Sequence, residues 1–263
     1  MVPAFEFFGD WGGQFIATAI HNGHDVRPEV DSEFVLAEPD RQREEDPYTD
    51  EIGALIPARV VVHRSRFEVD LNRTRDEAVY RRSEDAWGLE FLRDPPLSQS
   101  IVAGSLDVYD AFYAELGRRL DGVAERGPFV VFDVHSYNHR RDGADSAEAS
   151  AEENPEVNVG TGSLDRERFG SLVDEFMDAL ASAGTSTGRL DVRENVRFRG
   201  RQLAQWTHTR YPGRGVVLAL EFKKTFMDEW TGDVDDARVS ELARALASTI
   251  PILEQSLRDV ASS

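Results

Sequence analysis

The chain has 263 residues and no cysteine, and 49 acidic against 30 basic side chains give it a formal net charge of −19. The missing thiols exclude disulfides, thiolate zinc sites, iron–sulfur clusters and a cysteine nucleophile. The acidic excess makes nucleic acid and anionic membrane surfaces poor partners. With 40% hydrophobic residues the chain can bury a sizeable core, roughly 70–75% of its extended surface at this length.

No apolar run approaches the roughly 18 residues of a membrane helix. Residues 1–10 carry no basic-then-apolar leader pattern, so a cytoplasmic protein is expected. Lys223 and Lys224 are the only lysines in a chain otherwise supplied with arginine, a bias that suits either a halophile or a high-GC genome.

In chain order, short apolar runs at 15–20, 59–62, 129–134 and 216–222 read as buried strands, bounded by turn signals such as Gly127-Pro128 and Pro212-Gly213. Helical spacing falls between them. Leu106, Tyr109, Tyr113, Leu116, Leu120 and Val123 share one helix face. Phe169, Leu172, Val173, Phe176, Met177 and Leu180 repeat the pattern, with Gly184 as a stop. A third helix is expected over 237–250, ended or bent by Pro251. The acidic, aperiodic stretch RRDGADSAEASAEENP at about 140–155 reads as a mobile surface loop. Strands alternating with helices predict an α/β three-layer sandwich with a mostly parallel mixed sheet, forming one domain over 1–263.

In such sheets ligands bind beyond the carboxyl ends of the strands. Three runs lead there into residues capable of chemistry: FIATAI into His21, FVVFDV into His135, and VVLAL into Glu221. One histidine after a strand is more often a hydrogen-bonded loop residue than a ligand. Two imidazoles and a carboxylate together form a zinc set, and a further carboxylate such as Glu221 could take the proton of a water and pass it to a leaving nitrogen. The third ligand stays open between His24 and the acidic run Arg43-Glu44-Glu45-Asp46-Pro47. The segment from Arg64 to Arg73 concentrates arginine forks suited to a substrate carboxylate, with Asn72 able to donate and accept beside them; in isolation it also fits a surface ion-pair network. Lys223 and Lys224 could pair with an anionic substrate, with Glu221, or with surface acids.

Together these segments resemble the N-formylglutamate amidohydrolase family over residues 20 to about 232. His21-Asn22-Gly23 is similar to its His-Ser-Gly, and Glu45-Asp46 with Asp50 to its Glu-Asp…Asp. Ser65-Arg66…Asp70-Leu71-Asn72-Arg73 resembles its Ser-Arg…Asp-Leu-Asn-Arg. Asp133-Val134-His135-Ser136 resembles its Asp-x-His-Ser, and Asn158-Val159-Gly160-Thr161 its Asn-Ile-Gly-Thr. Leu220-Glu221-Phe222 with Met227-Asp228-Glu229 completes the set. The resemblance implies a zinc-exopeptidase-like fold and Zn²⁺ held by His21, Glu45 and His135. It also implies substrate carboxylate on Arg66, Asn72 and Arg73, and Glu221 as general base. The family's Asn-x-Pro-Phe-x-Gly-Gly stretch stands here as Asn195-Val196-Arg197-Phe198-Arg199-Gly200-Arg201, lacking the proline and the second glycine.

The function expected is removal of a small formyl-like acyl group from an acidic amino acid such as N-formylglutamate. A peptidase or muropeptide hydrolase on the same fold, or a non-catalytic metal- or carboxylate-binding protein, are the competing readings. Retention of Glu221 argues against the last, since a binder needs no general base.

Overall fold

The sheet forms where the sequence runs continuously apolar. Strand β2 (Phe15–Ala19) is buried at every residue, as is β4 (Phe129–Tyr137), and β7 (Gly215–Lys223) is buried at all but Glu221. Burial on both faces is the signature of a parallel sheet covered by helices. β3 (Ala58–Val62) joins them, and β3, β2, β4 and β7 run parallel. Three further short strands extend the edges: β1 (Phe5–Gly9), antiparallel to β3, and β5 (Val157–Gly160), antiparallel to β7, with β6 (Val192–Glu194) parallel to β5. The order is β1-β3-β2-β4-β7-β5-β6. The computed structural model describes residues 2–262. Met1 and Ser263, the outermost positions of the expected 1–263 domain and, for Met1, of the leader reading, lie outside the described residues.

The two-residue period of the strands sorts side chains into two cores. On one face Phe15, Ala17, Val130, Phe132 and Val134 pack against Phe169, Leu172 and Phe176 of α5 (Arg166–Ala181), Val239 of α7 (Asp236–Ala247) and Leu253 of α8 (Ile250–Ser262). On the other, Ile16, Val60, Val131 and Val217 meet Phe112, Leu116 and Leu120 of α4 (Gln99–Glu125) and Leu203 of α6 (Gln202–Arg210). This is the expected α/β sandwich. The predicted third helix is really two: α7 stops at Ala247, and Pro251 sits in the first turn of α8, where its missing N–H breaks no helical bond. Leu253 and Leu257 then return to the core, each contributing roughly 1.5–3 kcal/mol.

A smaller core of Phe34, Phe67, Tyr80 and Phe91 lies away from the sheet and holds the Arg66–Arg73 segment through Phe67, while Val69 and Leu71 pack into the core under α4. Three short helices, α1 (Pro28–Asp31), α2 (Glu38–Glu44) and α3 (Thr49–Ile52), carry the chain between β2 and β3. No helix among the described residues is long and apolar enough to cross a membrane.

Candidate metal centre and its cavity

Two central strands set the site. β4 and β7 pair in register through His135↔Glu221 and on to Tyr137↔Lys223. Both residues lie within their strands; for His135 this is because the ladder continues past the apolar run at 129–134 that marked the strand in the sequence. His21 stands in a turn two residues beyond β2. The following Gly23 is pressed against the backbone of His63, where a Cβ would come within 2.1 Å of the carbonyl carbon. The chain can turn there only without a side chain.

His21, Asp46 and His135 converge, each offering one ligand atom within 4.8 Å of the others. All three are buried. His135 Nδ1 lies 3.0 Å and His21 Nδ1 3.4 Å from the same oxygen of Asp46. The opposite ring nitrogens are anchored: His21 Nε2–H donates to Asp70 Oδ1 at 2.7 Å, and His135 Nε2 faces Asp133 Oδ2 at 3.1 Å. Such carboxylate–histidine pairs fix ring orientation in metal sites. Asp133 is held in turn by the Thr18 hydroxyl at 2.7 Å.

His21 Nδ1 is buried without a hydrogen-bond partner, an orphan that a cation would satisfy. Burial alone would raise the Asp46 carboxyl; the two histidines more than reverse this and hold it well below the usual range. His135 is shifted the other way, well above the ordinary imidazole value: burial opposes its charge, but Asp133 and Asp46 outweigh that.

The carboxylate expected from Glu45 comes instead from its neighbour. Glu45 caps the end of α2 in an extended conformation, so consecutive side chains point apart. Its carboxylate accepts from the Ser65 hydroxyl and contacts His24 Nδ1. This removes His24 from the converging set as well. Its contact with Glu45 is the main reason the His24 imidazole is raised above its ordinary value. Lys224, buried, donates from Nζ to the carbonyls of Arg43 and Glu45 at 2.7 and 2.8 Å, fixing this segment. That is a role the sequence did not assign it. Lys223 is buried too.

The cluster forms the floor of a cavity of about 290 Å³. Glu221 reaches into it. Its carboxyl is withdrawn from bulk water, and that burial pushes its pKa up to about 8, with the charge of His135 pulling the other way. Arg66 lines the same cavity, lies over Trp87 at 4.8 Å and donates to Asp70 at 3.1 Å. Its Nε is buried without a partner. Asn72 also lines the cavity, but its amide is engaged: Oδ1 accepts from Leu203 N at the start of α6, and Nδ2 lies 3.3 Å from His135 Nε2. Arg73 faces a separate depression beside Gln202 and Gln205, stacked 4.3 Å over Tyr80 and paired with Asp70 at 3.5 Å. Of the three residues expected at a substrate carboxylate, the structure places Arg66 and Asn72 at the cavity and Arg73 at the neighbouring depression.

Four arginines not assigned from sequence also line the cavity: Arg141, Arg197, Arg199 and Arg201. The signal available was the alternation of arginines at 197, 199 and 201 within the departing Asn195–Arg201 stretch. The stretch at 140–155 that read as a mobile loop is irregular and tied at several points. Arg140 N donates to Glu229, and Asn154 both donates to Ser150 O and accepts from Arg197.

A polar cavity at the carboxyl ends of parallel strands, floored by a histidine–aspartate–histidine set, defines an α/β protein with a candidate metal-centred ligand site. The sequence profile of N-formylglutamate amidohydrolase matches residues 13–227, and the chain belongs to that family. In structure it is similar to an N-formylglutamate amidohydrolase from Ralstonia eutropha JMP134, at 18% identity and a TM-score of 0.76 over 98% of this chain and 99% of that one. It is also similar to a gene product of Agrobacterium tumefaciens, at 16% identity and a TM-score of 0.64 over 98% and 96%. No curated protein matches it in sequence.

Proposed function

We propose that the protein is a zinc-dependent amidohydrolase that removes a formyl-like group from an N-acyl acidic amino acid. Family membership supports the amide-cleaving reaction. The observation that carries the metal dependence is the convergence of two anchored histidines, through Nδ1, on one oxygen of Asp46, with His21 Nδ1 otherwise unsatisfied. His21, His135 and Asp46 would hold the ion, and neutral imidazoles with a carboxylate are the donor set zinc takes. Bound there, zinc would act as a Lewis acid on the scissile carbonyl and acidify a water.

The chain's own residues do the rest. Asp70 and Asp133 hold the imidazoles in the orientation that frees Nδ1. Arg66 offers its unpartnered Nε–H to a substrate carboxylate. Glu221 accepts the proton of the attacking water and returns it to the leaving amine nitrogen. A cation beside it favours its ionised form, opposing the upward push of burial. The cavity volume of about 290 Å³ sits at the small end of ligand pockets, which suits a substrate of one or two residues better than a long peptide in an extended groove.

The test is metal analysis together with deformylation of N-formylglutamate. Purified protein should carry one zinc per chain and release formate. Asp46→Asn should lose both, whereas Glu45→Gln should keep zinc. Zinc retained in Asp46→Asn but lost in Glu45→Gln would return the third ligand to Glu45.

A further inference from the structure

We propose that the mouth of the cavity is a second anion subsite, built from Arg141, Arg197, Arg199 and Arg201, and that the substrate is an N-acyl acidic amino acid extended by at least one further carboxylate, an N-acylated acidic dipeptide being the simplest. The substrate class rests on the amidohydrolase reading; the subsite rests on the side chains themselves.

Their first property is that they are unspent. In a chain of net charge −19, arginines find carboxylates easily, and the cavity's inner wall does so: Arg66 pairs with Asp70 at 3.1 Å. Arg141, Arg199 and Arg201 make no side-chain hydrogen bond or ion pair among the described residues. Arg197 is partly engaged: it gives one hydrogen bond, from Nη1 to Asn154 Oδ1 at 2.7 Å, and its guanidinium lies 5.7 Å from the rings of Tyr137 and Phe198. All four are exposed and line one cavity, and like charges gathered there are relieved when an anion lies among them.

Their second property is that three of them are presented by a fastened backbone. Buried Asn158 accepts from Arg197 N at 2.8 Å and Phe198 N at 3.2 Å, and donates to Phe198 O at 2.8 Å. Gly162 N donates to Arg199 O at 2.7 Å. The segment lies so close to β5 that a Cβ on Gly160 would come 2.5 Å from Gly200 N. A loop locked this way fixes the backbone that carries the charged heads, so only their side-chain rotamers remain to be ordered when a ligand arrives.

Their third property is capacity. With one substrate carboxylate on Arg66, a two-charge acidic amino acid leaves a single carboxylate for four forks. Each fork can engage a carboxylate bidentately, so the mouth has room for two.

The test compares wild type with Arg199→Gln/Arg201→Gln, and separately with Arg141→Gln on another segment, thermal melting confirming that each folds. Turnover is measured on N-formylglycine, N-formylglutamate and N-formylglutamylglutamate. The loss in kcat/KM should grow with the number of carboxylates, reaching on the order of 10- to 100-fold more on the dipeptide than on N-formylglycine. Equal losses on all three that vanish in about 0.5 M salt would mean a general anion funnel and overturn the subsite. If wild type cleaves none of the three, the amidohydrolase reading fails by itself. Calorimetric titration with glutamylglutamate then decides the subsite: at least tenfold weaker binding by the double variant upholds it, and equal or absent binding overturns it.

Discussion

The floor and the mouth of the cavity are built on opposite terms. On the floor most polar heads are committed before a ligand arrives: Asp70 receives His21, Arg66, Tyr80 and the backbone N–H of Asn72. Asp133 is flanked by Thr18 and His135. His21 Nδ1, aimed at the centre, is among the few buried atoms there without a hydrogen-bond partner. At the mouth the backbone is committed and the heads are not. A floor of this kind holds geometry to within the tolerance that chemistry requires. A mouth of this kind holds charge and leaves its exact placement to the ligand. Substitutions on the floor should therefore damage turnover or metal binding for every substrate, and those at the mouth should sort substrates by charge.

The sharpest way to break this division is Glu221→Gln, which keeps shape and hydrogen bonding but removes the base. With N-formylglutamate as substrate, kcat should fall roughly 100- to 10,000-fold, while elemental analysis finds the same zinc content. Loss of zinc would move Glu221 from the wall into the ligand set.

A smaller effect concerns the platform under the mouth. α6 begins just after Arg201, and His208 ties it to its neighbours: Nε2 accepts from Val217 N at 3.0 Å, and Nδ1 pairs with the Ser163 hydroxyl at 2.8 Å. Burial lowers its pKa to about 4. The unfolded chain, with an ordinary histidine near 6.5, takes up a proton first as pH falls. Stability from the neutral imidazole is therefore complete above about pH 6.5 and is lost between there and about pH 4. The full loss is about 3 kcal/mol. Thermal melts of wild type and His208→Gln over that window should converge as the pH drops; parallel curves would show that His208 does not titrate with folding.

The smallest expected change tests whether the floor is set by its outer carboxylates. Asp70→Asn should weaken zinc roughly 10- to 100-fold, read by competition with a chelator, without abolishing the site. Unchanged affinity would make Asp70 a brace for Tyr80 and Arg66 alone.

Much of this was legible in the sequence because the central strands are continuous apolar runs, and the residues that follow them must emerge at one edge of the sheet. His21, His135 and Glu221 could be gathered on that argument alone. β1, β5 and β6 were not visible, since they are short strands, β1 and β6 at the sheet edges and β5 beside β6, that owe their form to the ladder beside them. Which of two adjacent acids turns inward was equally hidden. Glu45 and Asp46 are chemically equivalent as letters, and the extended backbone at the end of α2 separates them. The place of Arg73 was hidden for a related reason: a run of arginines shows fork donors but not which of them stacks on Tyr80 and faces the neighbouring depression. The arginines of 197–201 were written plainly, yet their meaning depends on Asn158 and Gly160, about 40 residues earlier in the chain.

The two lysines have a practical consequence. Both are buried, and the Nζ of Lys224 is engaged by two backbone carbonyls. Reagents that label or tether proteins through lysine amines will find no accessible side chain on the folded protein. Attachment through side chains is then better directed to the plentiful carboxylates or an introduced cysteine. A single cysteine placed far from the cavity, in a chain that has none of its own, would be modified at one site only, leaving the floor and the mouth untouched.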